Sequence, residues 1–145
     1  DRNNVSSDID ERVLHEIYLP VYRAAIQEAG AGAVMDSYNP VNGVHATQND
    51  YLNNQVLRKQ WGFDGIVMTS PLNDNVIENN YTNEFAVVEA VKAGCDLIVL
   101  PGNFKECYEA LITAVEEGRI DEKVINTSVR RILQNKIQRG ILVLE

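Results

Sequence analysis

Positive charge is what this sequence most lacks. Thirteen Lys and Arg stand against twenty-one Asp and Glu, a formal net charge of −8, and no basic cluster is longer than Arg130-Arg131. A nucleic-acid groove needs concentrated positive charge to release counterions, so that class of partner is excluded. An acidic surface suits a neutral ligand better. Cysteine is nearly absent too: Cys95 and Cys107 form no Cys-x-x-Cys and have no histidine nearby in sequence, which argues against a metal centre, a redox motif or any cofactor. Both are expected as small, buried or half-buried free thiols rather than as a disulfide. No apolar run approaches the roughly 18 residues of a membrane span, and the amino terminus shows no charged-then-apolar secretory pattern. The chain is therefore expected to be soluble, with no membrane partner and no address that names its compartment. It starts at Asp1, without Met and in a polar stretch, as expected of a piece taken from something longer. Three Asn-x-Ser/Thr sequons, at Asn4, Asn80 and Asn126, matter only in a secretory compartment and carry little weight.

What is present is enough apolar residue for one core. With 145 residues and 45% hydrophobic content, residues 1–145 are expected to form one domain. Ser7 or Asp8 is placed to cap a helix over residues 10–29, with Val13, Leu14, Ile17, Val21, Ala25 and Ile26 on one face and a kink near Tyr18 imposed by Pro20. Gly30 and Gly32 then release the chain into a short strand, Ala33-Val34-Met35. A loop from Asn39 to Gln48 leads to a helix over 50–60 and a strand at 65–69; a helix over 83–93 leads to a strand at 96–100. The unit helix–Gly–strand thus occurs three times. Two further helices, 103–117 and 121–138, end at Gly118 and Gly140, with room for a last strand at Ile141–Leu144. Continuous apolar strands between amphipathic helices mean parallel strands buried on both faces. The fold class is α/β, parallel βα units making a partial, half TIM-type barrel, since a complete one takes about 250 residues.

In such folds ligands gather at the carboxyl ends of strands. The first strand empties into Met35-Asp36-Ser37-Tyr38-Asn39-Pro40-Val41-Asn42-Gly43, which offers a carboxylate, a hydroxyl, a phenol and two amides. That set suits several sugar hydroxyls, and equally suits Asx and Ser turns that satisfy a loop's own backbone. The second strand ends at Thr69-Ser70-Pro71 and the third at Pro101-Gly102-Asn103, neither with an acid at its tip. His15 sits at the polar edge of a helix, and His45 in the post-strand loop without a second ligand-type residue at metal spacing. Trp61, just ahead of a strand at the stability face of the layer, is expected in the core.

At the first of these loops the sequence resembles a known family. Ala33-Val34-Met35-Asp36-Ser37-Tyr38-Asn39 with Val41-Asn42-Gly43-Val44 is similar to the corresponding segment of glycoside hydrolase family 3 β-glucosidases, and flanking pieces agree in order: Asp10-Glu11-Arg12, Glu16-Ile17-Tyr18-Leu19-Pro20, Leu57-Arg58 and Trp61-Gly62-Phe63-Asp64-Gly65. From Ala86 onward, Ala93-Gly94-Cys95-Asp96-Leu97 and Ser128-Val129-Arg130-Arg131-Ile132-Leu133 look more like the family's N-acetylglucosaminidase branch. The resemblance implies the C-terminal half of that family's barrel and a parent that hydrolyses a β-linked glucoside or N-acetylglucosaminide with retention, a strand-end aspartate attacking the anomeric carbon. At the position of that aspartate stands Ser70, with no adjacent base to activate it; Asp74 lies four residues on, in a loop where a solvated role is expected. The resemblance carries over Met35 and Tyr38 as residues lining the innermost sugar subsite, with Asp36 counted among the substrate-binding residues and Asn39 and Asn42 close by. The isolated chain is expected to be inactive. A structural alternative is a half-barrel whose open edges drive homo-oligomerisation or pairing with a complementing barrel half.

Overall fold

A computed structural model of the chain describes residues 5–143, and for Asn75 and Val76 only the backbone. The first helix, α1 (residues 11–27), is capped by Asp10, whose carboxylate accepts from Arg12 N at 3.0 Å and Val13 N at 3.4 Å. Ser7 and Asp8, expected as caps, have other partners: Ser7 bridges Val41, and Asp8 accepts from the Ser6 hydroxyl at 2.6 Å. α1 widens to i→i+5 turns over Leu14–Tyr18 and returns to α geometry at Leu19–Gln27. Pro20 has no N–H, and its ring crowds the carbonyl one turn back; one extra residue in the preceding turn accommodates it. The expected kink at Tyr18 is this widened turn.

Strand β1 (Ala33–Met35) continues into the segment expected to be a plain loop, but that segment is ordered. β2 (Pro40–Val41) and β3 (Val44–His45) form an antiparallel hairpin turned by Asn42 and Gly43 at φ of 51° and 80°, the left-handed pair that an Asn-Gly turn supplies. The Asn42 amide ties the turn to the chain before α1, accepting from Ile9 N at 2.6 Å and donating to Ile9 O at 3.0 Å. Helix α2 (Tyr51–Gln60), wound with i→i+5 bonds, leads into β4 (Ile66–Met68), parallel to β1 in the register Ala33↔Ile66 and Met35↔Met68. A short helix α3 (Asn75–Glu78) follows, then α4 (Asn83–Lys92), α5 (Phe104–Glu116) and α6 (Glu122–Gln138), the last three capped by Thr82, Asn103 and Asp121.

Two expected strands do not form. The segment at 96–100 runs beside β4 but pairs through a single parallel bridge, Met68↔Leu97. Asp96 N and Leu97 N both go to Val67 O, the Thr69 hydroxyl takes Val99 N at 3.0 Å, and Leu100 turns to a φ of 42°. A side chain has replaced a rung of the ladder, so regular strand geometry is lost. After α6 the chain folds back, Ile141 N and Leu142 N both bonding Lys136 O, which consumes the donors a strand at Ile141–Leu144 needs; Leu144 lies outside the described residues.

The layers meet in two apolar clusters. One packs Leu72 and Ile77 against Val87 and Val91 of α4 and Cys107 and Ala114 of α5; the other packs Leu57, Phe63, Val67, Ala90 and Cys95, with Val34, Ile26 and Trp61 at its margin. Both cysteines are free and buried. Helix α6 lies across the entering ends of the strands through a buried ion network. Asp96, its side chain 0% exposed, receives Arg58 Nη2 at 2.5 Å and Arg131 Nη1 at 3.2 Å, while Arg131 Nε also reaches Asp64 at 2.9 Å. Asp96 further accepts Val67 N at 2.9 Å, and Arg58 Nη1 ties down the carbonyls of Phe63 and Gly65. This network fixes the strands at their entering ends. Among the described residues the edge of β1 away from β4 has no strand partner, and no helix is long and apolar enough to cross a membrane.

Candidate functional site

The carboxyl ends of β1 and β4 lie side by side, joined by Asp36 N donating to Met68 O at 2.9 Å. Successive residues of a strand face opposite ways, and β1 shows it: Ala33 and Met35 are exposed while Val34 is half-buried against the helices. Met35 is 53% exposed. Asp36 continues the alternation and turns back toward α2. There its Oδ2 accepts from the Asn53 amide at 3.2 Å and from the Cys95 thiol at 3.1 Å. Burial pushes the Asp36 carboxyl up from 3.8 to about 6, against the opposing effect of those two donors. The same burial, with the neighbouring Asp36 charge, drives the Cys95 thiol well above its ordinary value.

Ser70 lies two residues past β4, 4% exposed, and its hydroxyl donates to the backbone carbonyl of Asp36. Its proton thus points at a carbonyl rather than at a base. Tyr38 is half-buried, and its carbonyl holds His45 Nδ1 at 2.8 Å. His45 is buried, its ring edge-on to Tyr81 at 5.3 Å, so it is a framework residue. The remaining polar residues of the post-β1 loop bond one another: Ser37 Oγ to Asn39 Oδ1 at 2.7 Å, and Asn39 Nδ2 to Ser7 Oγ at 3.1 Å. Asp74 is half-buried, and its carbonyl starts α3 by accepting Ile77 N and Glu78 N. His15 is elsewhere, linked through Nε2 to Tyr51 Oη at 2.8 Å, the phenol donating in turn to Glu11 at 2.9 Å. Trp61, expected in the core, is half-buried at its margin and lines a cavity on either side.

The partners of Asp36 went unseen in the sequence. Asn53, 1% exposed, reads there as an ordinary polar residue on a helix, and Cys95 lies 59 residues from the acid it touches. Between β1, α1 and α2 is a cavity of about 330 Å³ with Met35, Asp36 and Asn53 in its lining. Among the described residues no group of three His, Cys, Asp or Glu is placed to hold a metal ion.

Comparison with known proteins places these features in context. The profile of the Glycosyl hydrolase family 3 N terminal domain matches residues 2–135. The β-glucosidase of Rhizobium radiobacter is 41% identical over 133 residues, which are 92% of this chain and 15% of that protein. Among solved structures, a glycoside hydrolase family 3 β-N-acetylglucosaminidase from Paenibacillus sp. str. FPU-7 superposes with a TM-score of 0.89 at 31% identity, covering 100% of this chain and 30% of the other. The β-glucosidase from Listeria innocua gives 0.82 at 33%, covering 94% and 19%. The chain therefore spans about 15% of the length of the curated relative and under a third of either solved chain. Its mixed α/β fold is that of the corresponding part of these enzymes' N-terminal barrel domain.

Proposed function

The chain belongs to glycoside hydrolase family 3, as its match to that family's N-terminal domain over residues 2–135 establishes, and from that premise we propose that it is the C-terminal half of the domain's barrel, a single partial barrel domain derived from a retaining β-glycosidase and inactive in isolation. The parent acts on a β-linked glucoside or N-acetylglucosaminide, the two substrate types of the named relatives. Met35 and Tyr38 line the sugar subsite, with Asp36 at its margin.

The observation that carries the proposal is the state of Ser70. Retaining hydrolysis needs a nucleophilic carboxylate and a proton donor about 5–5.5 Å apart. Ser70, in the nucleophile's place, is buried and bonded to a backbone carbonyl, so it has neither a base to activate it nor access to a substrate. The test is hydrolysis of nitrophenyl β-glucoside and nitrophenyl N-acetyl-β-glucosaminide. No turnover is expected from the chain or from Ser70→Asp, which restores a carboxylate but no donor; turnover from the unaltered chain that survives Ser70→Ala overturns the assignment.

A structural reading is favoured by a separate observation. Ile17 and Val21 on α1 are 65% and 71% exposed, and among the described residues one edge of β1 is unpaired. Such an edge and such a face favour pairing with a second copy or with the missing barrel half. Light scattering after size exclusion tests it: a strictly monomeric chain that also ignores the preceding barrel half of a family 3 enzyme refutes it.

A further inference from the structure

We propose that the cavity between β1, α1 and α2 binds a small organic cation, an amine carried on an apolar body, with the Asp36 carboxylate as its counter-ion. The inference does not rest on the glycosidase reading.

Its basis is a contrast between two buried aspartates. Asp96 is given two guanidinium groups, Arg58 and Arg131. Among the described residues Asp36 receives only neutral donors, the Cys95 thiol and the Asn53 amide, and no Lys, Arg or His is bonded to it or lines the cavity. A buried carboxylate without a cation is costly and keeps a proton instead. Cysteine and asparagine hold the group in place but leave its charge uncompensated. An ammonium ion supplies the missing charge and occupies the position otherwise filled by a proton.

The surroundings specify the rest of the ligand. Leu14, Leu19, Val34, Val56 and Leu57 form apolar walls, with the rings of Tyr18, Tyr22 and Trp61 among them. Aromatic faces attract cations as well as apolar groups. A volume of about 330 Å³ falls in the range of small-molecule sites, which combine apolar walls with a few placed polar groups. The net charge of −8 further favours a cation over an anion.

Among the described residues Asp36 is the only side chain lining the cavity that is charged near neutrality. The Cys95 thiol bonded to it is displaced upward and so neutral, and the other titratable residues in the cavity lining are Tyr18 and Tyr22 on α1. Binding of an amine must therefore follow the ionisation of Asp36, which lies at about 6, and weaken about tenfold between pH 7.5 and pH 5.

Phenethylamine and its neutral isostere 2-phenylethanol serve as probes of the 145-residue chain. Titrations are followed by the side-chain amide resonances of Asn53 and the indole resonance of Trp61, the only tryptophan. Phenethylamine is expected to bind at pH 7.5, shift the Asn53 amide, weaken about tenfold at pH 5, and lose that preference over the alcohol in Asp36→Asn. Ala46→Leu, which narrows the same cavity without touching charge, is expected to weaken both probes. Equal affinity for amine and alcohol, amine binding unchanged by pH or by Asp36→Asn, or shifts confined to Trp61, which also lines a second cavity near Arg131, would each overturn the proposal. Should Asp36→Asn fail to fold, the isostere comparison and the pH dependence decide the matter in the unaltered chain.

Discussion

Replacing Asp36 by Asn is expected to stabilise the chain at neutral pH while leaving it nearly unchanged at pH 4. The carboxyl is raised from 3.8 to about 6 by burial, so the folded state holds its proton more tightly than the unfolded state does. Its contribution is wholly favourable only below the unfolded value; stability falls as pH rises from about 4 to about 6, and the full penalty persists above. At roughly 1.4 kcal/mol for each tenfold change in an ionisation equilibrium, that penalty is about 3 kcal/mol at pH 7.5. Asparagine abolishes it, because an amide oxygen in the place of Oδ2 still accepts from Asn53 and Cys95. Urea unfolding of both proteins between pH 4 and pH 8 measures the effect as a difference, which cancels the other carboxylates. The variant is expected to gain as much as about 3 kcal/mol above pH 7, with the gain vanishing toward pH 4. A gain independent of pH, or a loss at pH 7.5, would falsify the view that Asp36 is an uncompensated buried acid.

Removing the other buried acid is expected to act in the opposite sense. Asp96→Ala leaves Arg58 and Arg131 without their shared carboxylate and should cost about 3–5 kcal/mol, read from the urea midpoint at constant slope. Gly94 sits at a φ of 100° with the Asn54 side chain 2.5 Å from where a Cβ would go; Gly94→Ala should therefore lower thermal stability by more than Gly118→Ala, whose φ is 73° but whose surroundings are open. Ile77→Ala, in the middle of the first cluster at 1% exposure, should cost about 2–5 kcal/mol. Ser70→Ala should cost about 1–3 kcal/mol by leaving the Asp36 carbonyl without its donor, with no change in glycoside turnover because none is expected beforehand.

How much of this was legible in the sequence depends on the kind of interaction. Helices α4, α5 and α6 were readable because each carries its own signals: a polar cap at Thr82, Asn103 or Asp121, an apolar stripe, and a glycine beyond the end. β1 and β4 were readable as apolar runs after glycine. The segment at 96–100 looks the same by composition, yet the Thr69 hydroxyl, 30 residues away, takes the donor of Val99, and no local pattern announces such a substitution. The hairpin was missed for a different reason, since Asn42-Gly43 is its turn signal but the strands on either side hold only two residues each. α3 is a four-residue helix, too short for periodicity to register. The family resemblance was legible from motifs that lie in order along the chain, whereas the Asp36–Asn53–Cys95 cluster brings together side chains 17 and 59 residues apart.

The loop after β1 shows why residue chemistry alone overstates a site. Its carboxylate, hydroxyl, phenol and two amides look like one polar array when read as a string. In three dimensions Ser37 and Asn39 bond each other and Ser7, and Asn42 is committed to Ile9. The Met35 side chain is exposed, and the Asp36 carboxylate is drawn toward α2 by Asn53. Tyr38 holds His45 of the hairpin through its backbone carbonyl. Met35 and Asp36 both line the cavity, but only Asp36 carries charge: substitution at Met35 or Tyr38 should alter binding of the proposed neutral sugar, and substitution at Asp36 chiefly that of the proposed cation. Ser70, which the proposed function sets in the nucleophile's place, and the carboxylate of Asp36 are thus separate features, because Asp36 turns toward α2 rather than to the end of β4.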